Sequence, residues 1–209
     1  MNCRPRSDVA LPSAAGSLGF ALMELLMTVV IIFVLFTMFF GFGAKNRQRS
    51  AKLRCQENLQ KAFVGLQIFA NEHDERFPQT TNATTAEVAL EVLVPRYTAD
   101  TKIFVCPGRK DSAPAPDQPL RKGRISYSYY QGQTKTGTNG FLLTDWQVNT
   151  QAKRVGDLLF SETGKKPGNN HAKIGGNLLE ITGDVISSPA RAAVDLPLAS
   201  GVVLLNPKP

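Results

Sequence analysis

The sequence predicts an α+β fold in which one long N-terminal helix precedes a small head built on an antiparallel β-sheet. Three observations predict it. Residues 25–44 carry no formal charge, residues 53–70 place apolar side chains at helical spacing, and the C-terminal part holds short β-rich runs separated by Gly, Pro, Asn and Asp. The 209 residues, 43% of them hydrophobic, suffice for one membrane segment and one modest globular domain. A formal charge of +7 permits anionic partners, nucleic acid or phospholipid. The basic runs in residues 45–54 and 109–124 read first as solvated faces.

The apolar stretch comes first. As a helix, residues 25–44 reach about 30 Å, the thickness of a bilayer's hydrocarbon core. A cleaved secretory signal is the alternative, but its apolar part is usually only about 7–15 residues long, and the exit "GFGA" is a poor cleavage site. Glu24 stands at the start of this stretch. A carboxylate in lipid costs on the order of 3 kcal/mol, so it calls for a cation nearby.

The stretch Gly19-Phe20-Ala21-Leu22-Met23-Glu24 resembles the processing site of type IV pilins and type II secretion pseudopilins. The resemblance implies cleavage after Gly19 by a prepilin peptidase and methylation of the new amino terminus at Phe20. It also implies that Glu24 pairs with the terminal amine of a neighbouring subunit during assembly, which supplies the missing cation. The implied fold is pilin-like, and the implied parts are a leader (1–19), a transmembrane and filament-core helix (20–44), an amphipathic second half (45–77) and an α+β head (78–209). The implied product is an inner-membrane subunit with its head in the periplasm, which joins a filament of a type II secretion or related pilus system. Its partners are then the peptidase, other pilin or pseudopilin subunits, the inner-membrane assembly platform and membrane lipid. The basic residues Lys45, Arg47, Arg49, Lys52 and Arg54 count the other way, toward a cytoplasmic head. The six-residue motif followed by the apolar run takes precedence over that count. In the orientation that the resemblance implies, Arg4 and Arg6 would hold the leader on the cytoplasmic side.

The helical pattern continues past the membrane stretch. Leu53, Leu59, Phe63, Leu66 and Ala70 recur at spacings near three and four, with charged residues between them. No proline occurs between Phe20 and Phe77, so the helix is expected to run until Pro78 stops it. Where many pilins place a proline, this chain has Gly41 and then Gly43, which weaken a helix by about 1 kcal/mol each relative to alanine.

In the head, "TAEVALEVLVPRY" predicts a short helix with Thr85 as N-cap and Pro95 as its stop. The expected strands are "KIFVCP", "RISYSYYQG", "NGFLLTD", "DLLFSE", "GNLLEITGDVIS" and "GVVLLN". The Pro-rich, charged "GRKDSAPAPDQPLRKG" reads as an exposed loop. The segments "RCQENLQKAFVGLQIFANEHDERFP", "IFVCPGRKD", "SYSYYQG" and "NNHAKIGGNLLEITGDV" are similar to pilin-like proteins with a C-terminal H-x9-DG domain. This chain departs from that pattern: ten residues follow His171, and Thr182-Gly183 stands in place of Asp-Gly, with Asp184 displaced.

If the leader is removed, Cys3 leaves with it and Cys55 and Cys106 remain as an even pair. They are either a disulfide tying the helix to the sheet or two separate buried thiols. A metal held by this pair lacks "CxxC" spacing, and no metal ligand is assigned. A nucleic-acid interface would use Arg121, Lys122 and Arg124 on phosphates with Tyr127, Tyr129 and Tyr130 stacking on bases. The same alternating "ISYSYY" also describes a half-buried strand. That interface belongs to a second functional class, a membrane-anchored protein that does not polymerise and whose head binds DNA or surface polysaccharide. No cofactor is expected; calcium would call on Asp145, Asp157, Glu162 and Asp184. Catalysis by Ser161, Glu162, Glu180 and His171 lacks any G-x-S-x-G, H-E-x-x-H or phosphate loop, so the chain reads as a non-enzyme. His171 reads as a surface hydrogen-bonding residue and His73 as a helix-end residue.

Overall fold

The computed structural model describes residues 18–116, 118–137 and 140–209, with side chains from Leu22 to Phe39 and, outside the intervening stretch, from Asn46 onward. Leader residues 1–17, among them Arg4, Arg6 and Cys3, and the side chain of Phe20 lie outside the described residues. The elements in chain order are α1 (Leu18–Glu72), α2 (Ala86–Leu90), β1 (Tyr127–Gln131), β2 (Phe141–Asp145), β3 (Gly176–Glu180), β4 (Val185–Ser188) and β5 (Val203–Leu205). Single 3-10 turns occur at Glu91–Leu93, Thr101–Phe104 and Leu120–Lys122. The chain forms two compact units, Met1–Gly43 and Ala44–Pro209.

In the first unit, Leu22–Phe39 is helical with a mean hydropathy of 2.6, long and apolar enough to cross a membrane. Its large side chains are exposed all round, from Leu22 to Phe39. The two hydroxyls in it, Thr28 and Thr37, donate back to the carbonyls of Leu25 and Val34 at 2.8 and 2.9 Å. Both hydroxyls are thus satisfied inside the helix, as an apolar surrounding demands.

The second unit holds the rest of α1. Cys55, Leu59, Ala62, Leu66, Phe69 and Ala70 are buried in the principal core, whereas Leu53 is 60% exposed. The buried stripe runs from Ala51 through Cys55, and Leu53 lies off it. The helix ends before the proline is reached. Asp74 and Glu75 take left-handed φ values of 51° and 59°, and the Glu75 N–H donates to the Ala70 carbonyl at 2.9 Å. That geometry satisfies a terminal carbonyl and turns the chain, and Phe77 N–H then donates to Gln133 at 3.3 Å.

All sheet pairings are antiparallel, in the order β4-β3-β2-β1-β5. Tyr127 faces Asp145, Tyr129 faces Leu143 and Leu205, and Leu143 faces Leu179, so these six share the face that packs on α1 and α2. A bulge in β2 between Phe141 and Leu143 puts both Leu142 and Leu143 into that core and turns Phe141 to the reverse face. On the reverse face Tyr130, Phe141, Leu178 and Leu204 lie under Leu159, Phe160, Ala192 and Leu196. Being covered on both faces, β1 and β2 are buried at nearly every position rather than alternately.

Two expected strands do not form. "KIFVCP" becomes the 3-10 turn Thr101–Phe104, because Asp100 Oδ1 accepts the Lys102 N–H at 3.0 Å and closes the turn. "DLLFSE" pairs only through the isolated bridge of Leu158 with Arg191. The helix expected at "TAEVALEVLVPRY" forms as α2 and a following 3-10 turn, but Thr85 makes no side-chain cap and its hydroxyl is unpartnered.

Leu66→Ala should lower stability by about 2–5 kcal/mol, the range for emptying a core leucine site. Leu53→Ala should stay within about 0.5 kcal/mol. Denaturant unfolding of the detergent-solubilised chain, followed through Trp146 fluorescence, measures both.

A buried cysteine, histidine and carboxylate cluster

Four segments far apart in sequence meet at one point. The buried stripe of α1 supplies Cys55. The 3-10 turn at Thr101–Phe104 delivers Cys106, held in place where Ser126 N–H donates to Phe104 at 2.9 Å and Arg109 N–H to Cys106 at 3.0 Å. β2 ends in Asp145. The loop of residues 161–175 contributes Asn170 and His171 through a tight turn in which Ala172 has φ 54° and Ile174 N–H donates to His171 at 3.2 Å. Cys55, Cys106, Asp145 and His171 are all fully buried, and one ligand-type atom from each lies within 4.8 Å of the others.

Asp145 is the hub. Its Oδ1 accepts from Asn170 Nδ2 at 2.6 Å, and its Oδ2 accepts from the Asn177 backbone N–H at 2.7 Å and lies 3.0 Å from His171 Nε2. The Asn170 amide also reaches the Ser126 carbonyl at 2.7 Å. Asn177 donates through Nδ2 to the Lys52 carbonyl at 3.0 Å and accepts from Gln56 at 3.1 Å, so the network is anchored on α1. The Lys52 ammonium rests on the carbonyls of Ile174 and Ser188 at 3.1 and 3.2 Å.

The sulfurs of Cys55 and Cys106 are 2.6 Å apart as free thiols. Cys106 Sγ lies 3.8 Å from both ring nitrogens of His171 and accepts the Gly108 N–H at 3.3 Å. Burial alone would lower the His171 pKa, but the charge and hydrogen bond of Asp145 outweigh it and raise it to about 10. Burial pushes the Cys55 thiol up. Burial acts the same way on Cys106, yet hydrogen bonds from Cys55 and His171 prevail and bring it to about 7. Burial also lowers the Lys52 pKa, against the pull of Asp145. Chemically, the arrangement can close a disulfide, hold an imidazolium beside a thiolate, or surround a cation. It presents none of these groups to solvent.

Several sequence expectations change here. His171 is not on the surface: its ring fills the cluster and pairs with Asp145. Tyr127, Tyr129 and Tyr130 are buried on the two covered sheet faces, with no ring face open to a base, whereas Arg121, Lys122 and Arg124 are exposed. The stacking interface is therefore withdrawn. The carboxylates considered for calcium do not converge either, among the described residues. Asp145 is enclosed as above, Asp157 accepts the Arg154 N–H at 2.8 Å, Glu162 pairs with Arg191 at 2.8 Å, and Asp184 sits in the β3–β4 turn beside Thr182. Cys55 and Cys106, expected as a pair or as two separate thiols, are adjacent. Gly19 and Glu24 both lie in α1, with Glu24 exposed. Ser161, buried, lies 3.3 Å from the Thr163 hydroxyl.

The sequence reading missed the joining of Asp145 and His171 to the cysteines. No known family, no curated protein and no solved structure matches this chain.

His171→Ala leaves the Asp145 carboxylate buried beside amide donors alone and should cost about 3–5 kcal/mol. In the Asp145→Asn background the same change should cost much less, because the charge that His171 balances is gone. A double-mutant cycle on unfolding free energies reads the difference.

Proposed function

We propose that this chain is a pilin-like structural subunit, processed after Gly19 and assembled through its N-terminal helix into a periplasmic filament of a type II secretion or related type IV pilus system. The observation that carries the reading is Leu22–Phe39, a helix segment with exposed apolar side chains all round and one carboxylate, Glu24, near its start. Such a segment sits in lipid as a monomer and packs against copies of itself when it leaves the membrane. Within the same helix α1, residues from Cys55 onward bury one stripe under a sheet. The subunit thus offers one surface to its copies and one to its own head.

On this reading the amine of Phe20 in one subunit meets Glu24 of the next, which neutralises the carboxylate where water is scarce. The pairing of Cys55 with Cys106 is a strap between α1 and the head. Closing a loop of that length contributes roughly 4 kcal/mol in the chain-entropy model.

The first test is intact mass and first residue of the protein from its own membrane, with and without reduction and alkylation. A chain starting at Phe20, with two alkylatable sites appearing only after reduction, is expected; a chain starting at Met1 refutes processing. Glu24→Val should then retain membrane insertion and abolish assembly. Unchanged assembly would leave a plain membrane anchor.

A further inference from the structure

The disulfide strap explains two of the four cluster residues. It explains neither the buried Asp145 nor His171, nor why a tyrosine hydroxyl is buried beside the sulfurs. The Tyr127 hydroxyl is fully buried beside Cys55, within reach of its sulfur and, among the described residues, of no other acceptor. A disulfide sulfur or a neutral thiol is a poor acceptor for it, whereas a metal-bound thiolate is a strong one. Cys106 has its own donor, the Gly108 backbone N–H at 3.3 Å. Each sulfur therefore has an N–H or O–H beside it, the surroundings that ligating thiolates have.

We propose that, when Cys55 and Cys106 are reduced, the cluster binds one zinc ion through Cys55 Sγ, Cys106 Sγ, His171 and Asp145. Zinc bonds of about 2.0–2.3 Å make tetrahedral edges of about 3.3–3.8 Å. Cys106 Sγ stands 3.8 Å from His171 Nε2, and that nitrogen stands 3.0 Å from Asp145 Oδ2. The remaining donor pairs lie within 4.8 Å. The one short edge joins the two sulfurs at 2.6 Å, and the ion's entry parts them by about 1 Å to reach a tetrahedral edge. The donor set of two sulfurs, one imidazole and one carboxylate suits zinc, and a closed site with no water ligand is a structural one.

Charge and protons balance. Two thiol protons and the proton shared by His171 and Asp145 leave to solvent as the ion enters. Two thiolates, one carboxylate and the dication sum to one negative charge, which faces the Lys52 ammonium held on Ile174 and Ser188. Asn170 Nδ2 and Asn177 N–H keep their bonds to Asp145 and orient it as outer donors. The disulfide and the zinc site are exclusive states of one pair of sulfurs. This inference stands whether or not the subunit enters a filament.

The test is a cobalt(II) titration of the reduced, full-length, detergent-solubilised protein under anaerobic conditions, followed by zinc competition. We expect one cobalt per chain, intense visible bands of a tetrahedral centre and a near-ultraviolet thiolate-to-cobalt band, all erased by zinc. His171→Ala and Cys106→Ser should each weaken zinc binding by more than about 100-fold, and Tyr127→Phe by about 10-fold as an outer donor. A reduced wild-type chain with no thiolate-to-cobalt band overturns the proposal without reference to any variant. So does a folded His171→Ala chain, judged by circular dichroism, that binds zinc as tightly as wild type.

Discussion

The buried carboxylate of Asp145 is the constraint around which the head is arranged. An ionised carboxylate out of water is tolerated only when its lone pairs meet donors and its charge meets a counter-charge. The donors here come from β3, the 161–175 loop and, through Asn177 and Lys52, α1. None of these segments can move away without leaving the charge bare. That requirement explains why a long glycine- and asparagine-rich loop, which carries no strand, is nonetheless packed: Asn170 and His171 are buried. It also holds Cys106 and Cys55 together beside one fixed point.

The sequence made the architecture legible where a pattern repeats and hid it where a single side chain decides. The apolar run, the helical stripe and four of the six β-rich runs were readable because each rests on several residues in period. The end of α1 was not, because it depends on a left-handed Asp74–Glu75 pair rather than on Pro78. "KIFVCP" had strand composition, yet one aspartate, Asp100, closes a 3-10 turn there. "ISYSYY" alternates as a half-buried strand would, but the reverse face is covered by a second core, so the tyrosines of both faces are inside. Alternation reports one covered face; it says nothing of what a distant loop lays over the other.

The cluster was hidden for a related reason. Cysteine parity singled out Cys55 and Cys106, but His171 in "KKPGNNHAK" is surrounded by polar and turn-forming residues, the composition of a surface loop. Asp145 ends the apolar strand "FLLTD", and that was the available signal: a carboxylate closing a strand whose other residues are buried must itself be solvated or paired. A strand end within a covered sheet favours pairing, and the unassigned histidine and asparagines were the natural donors.

The head then has to fix the register of α1 on its sheet. Within the second unit, α1 is buried along one stripe and could slide along the sheet unless something fixes its register. Apolar packing has no direction, so it fixes the register only through the sizes of Leu59, Ala62 and Leu66. Directional bonds resist sliding well, because a shift of one helical rise, about 1.5 Å, breaks them. Gln56 and the Lys52 carbonyl on Asn177, the Lys52 ammonium on Ile174 and Ser188, and the juxtaposed Cys55 and Cys106 lie within two turns of α1. These bonds are concentrated at the N-terminal end of the buried stripe. A covalent bond or a shared ion at Cys55 fixes the register there, and the apolar stripe beyond it needs only to stay packed.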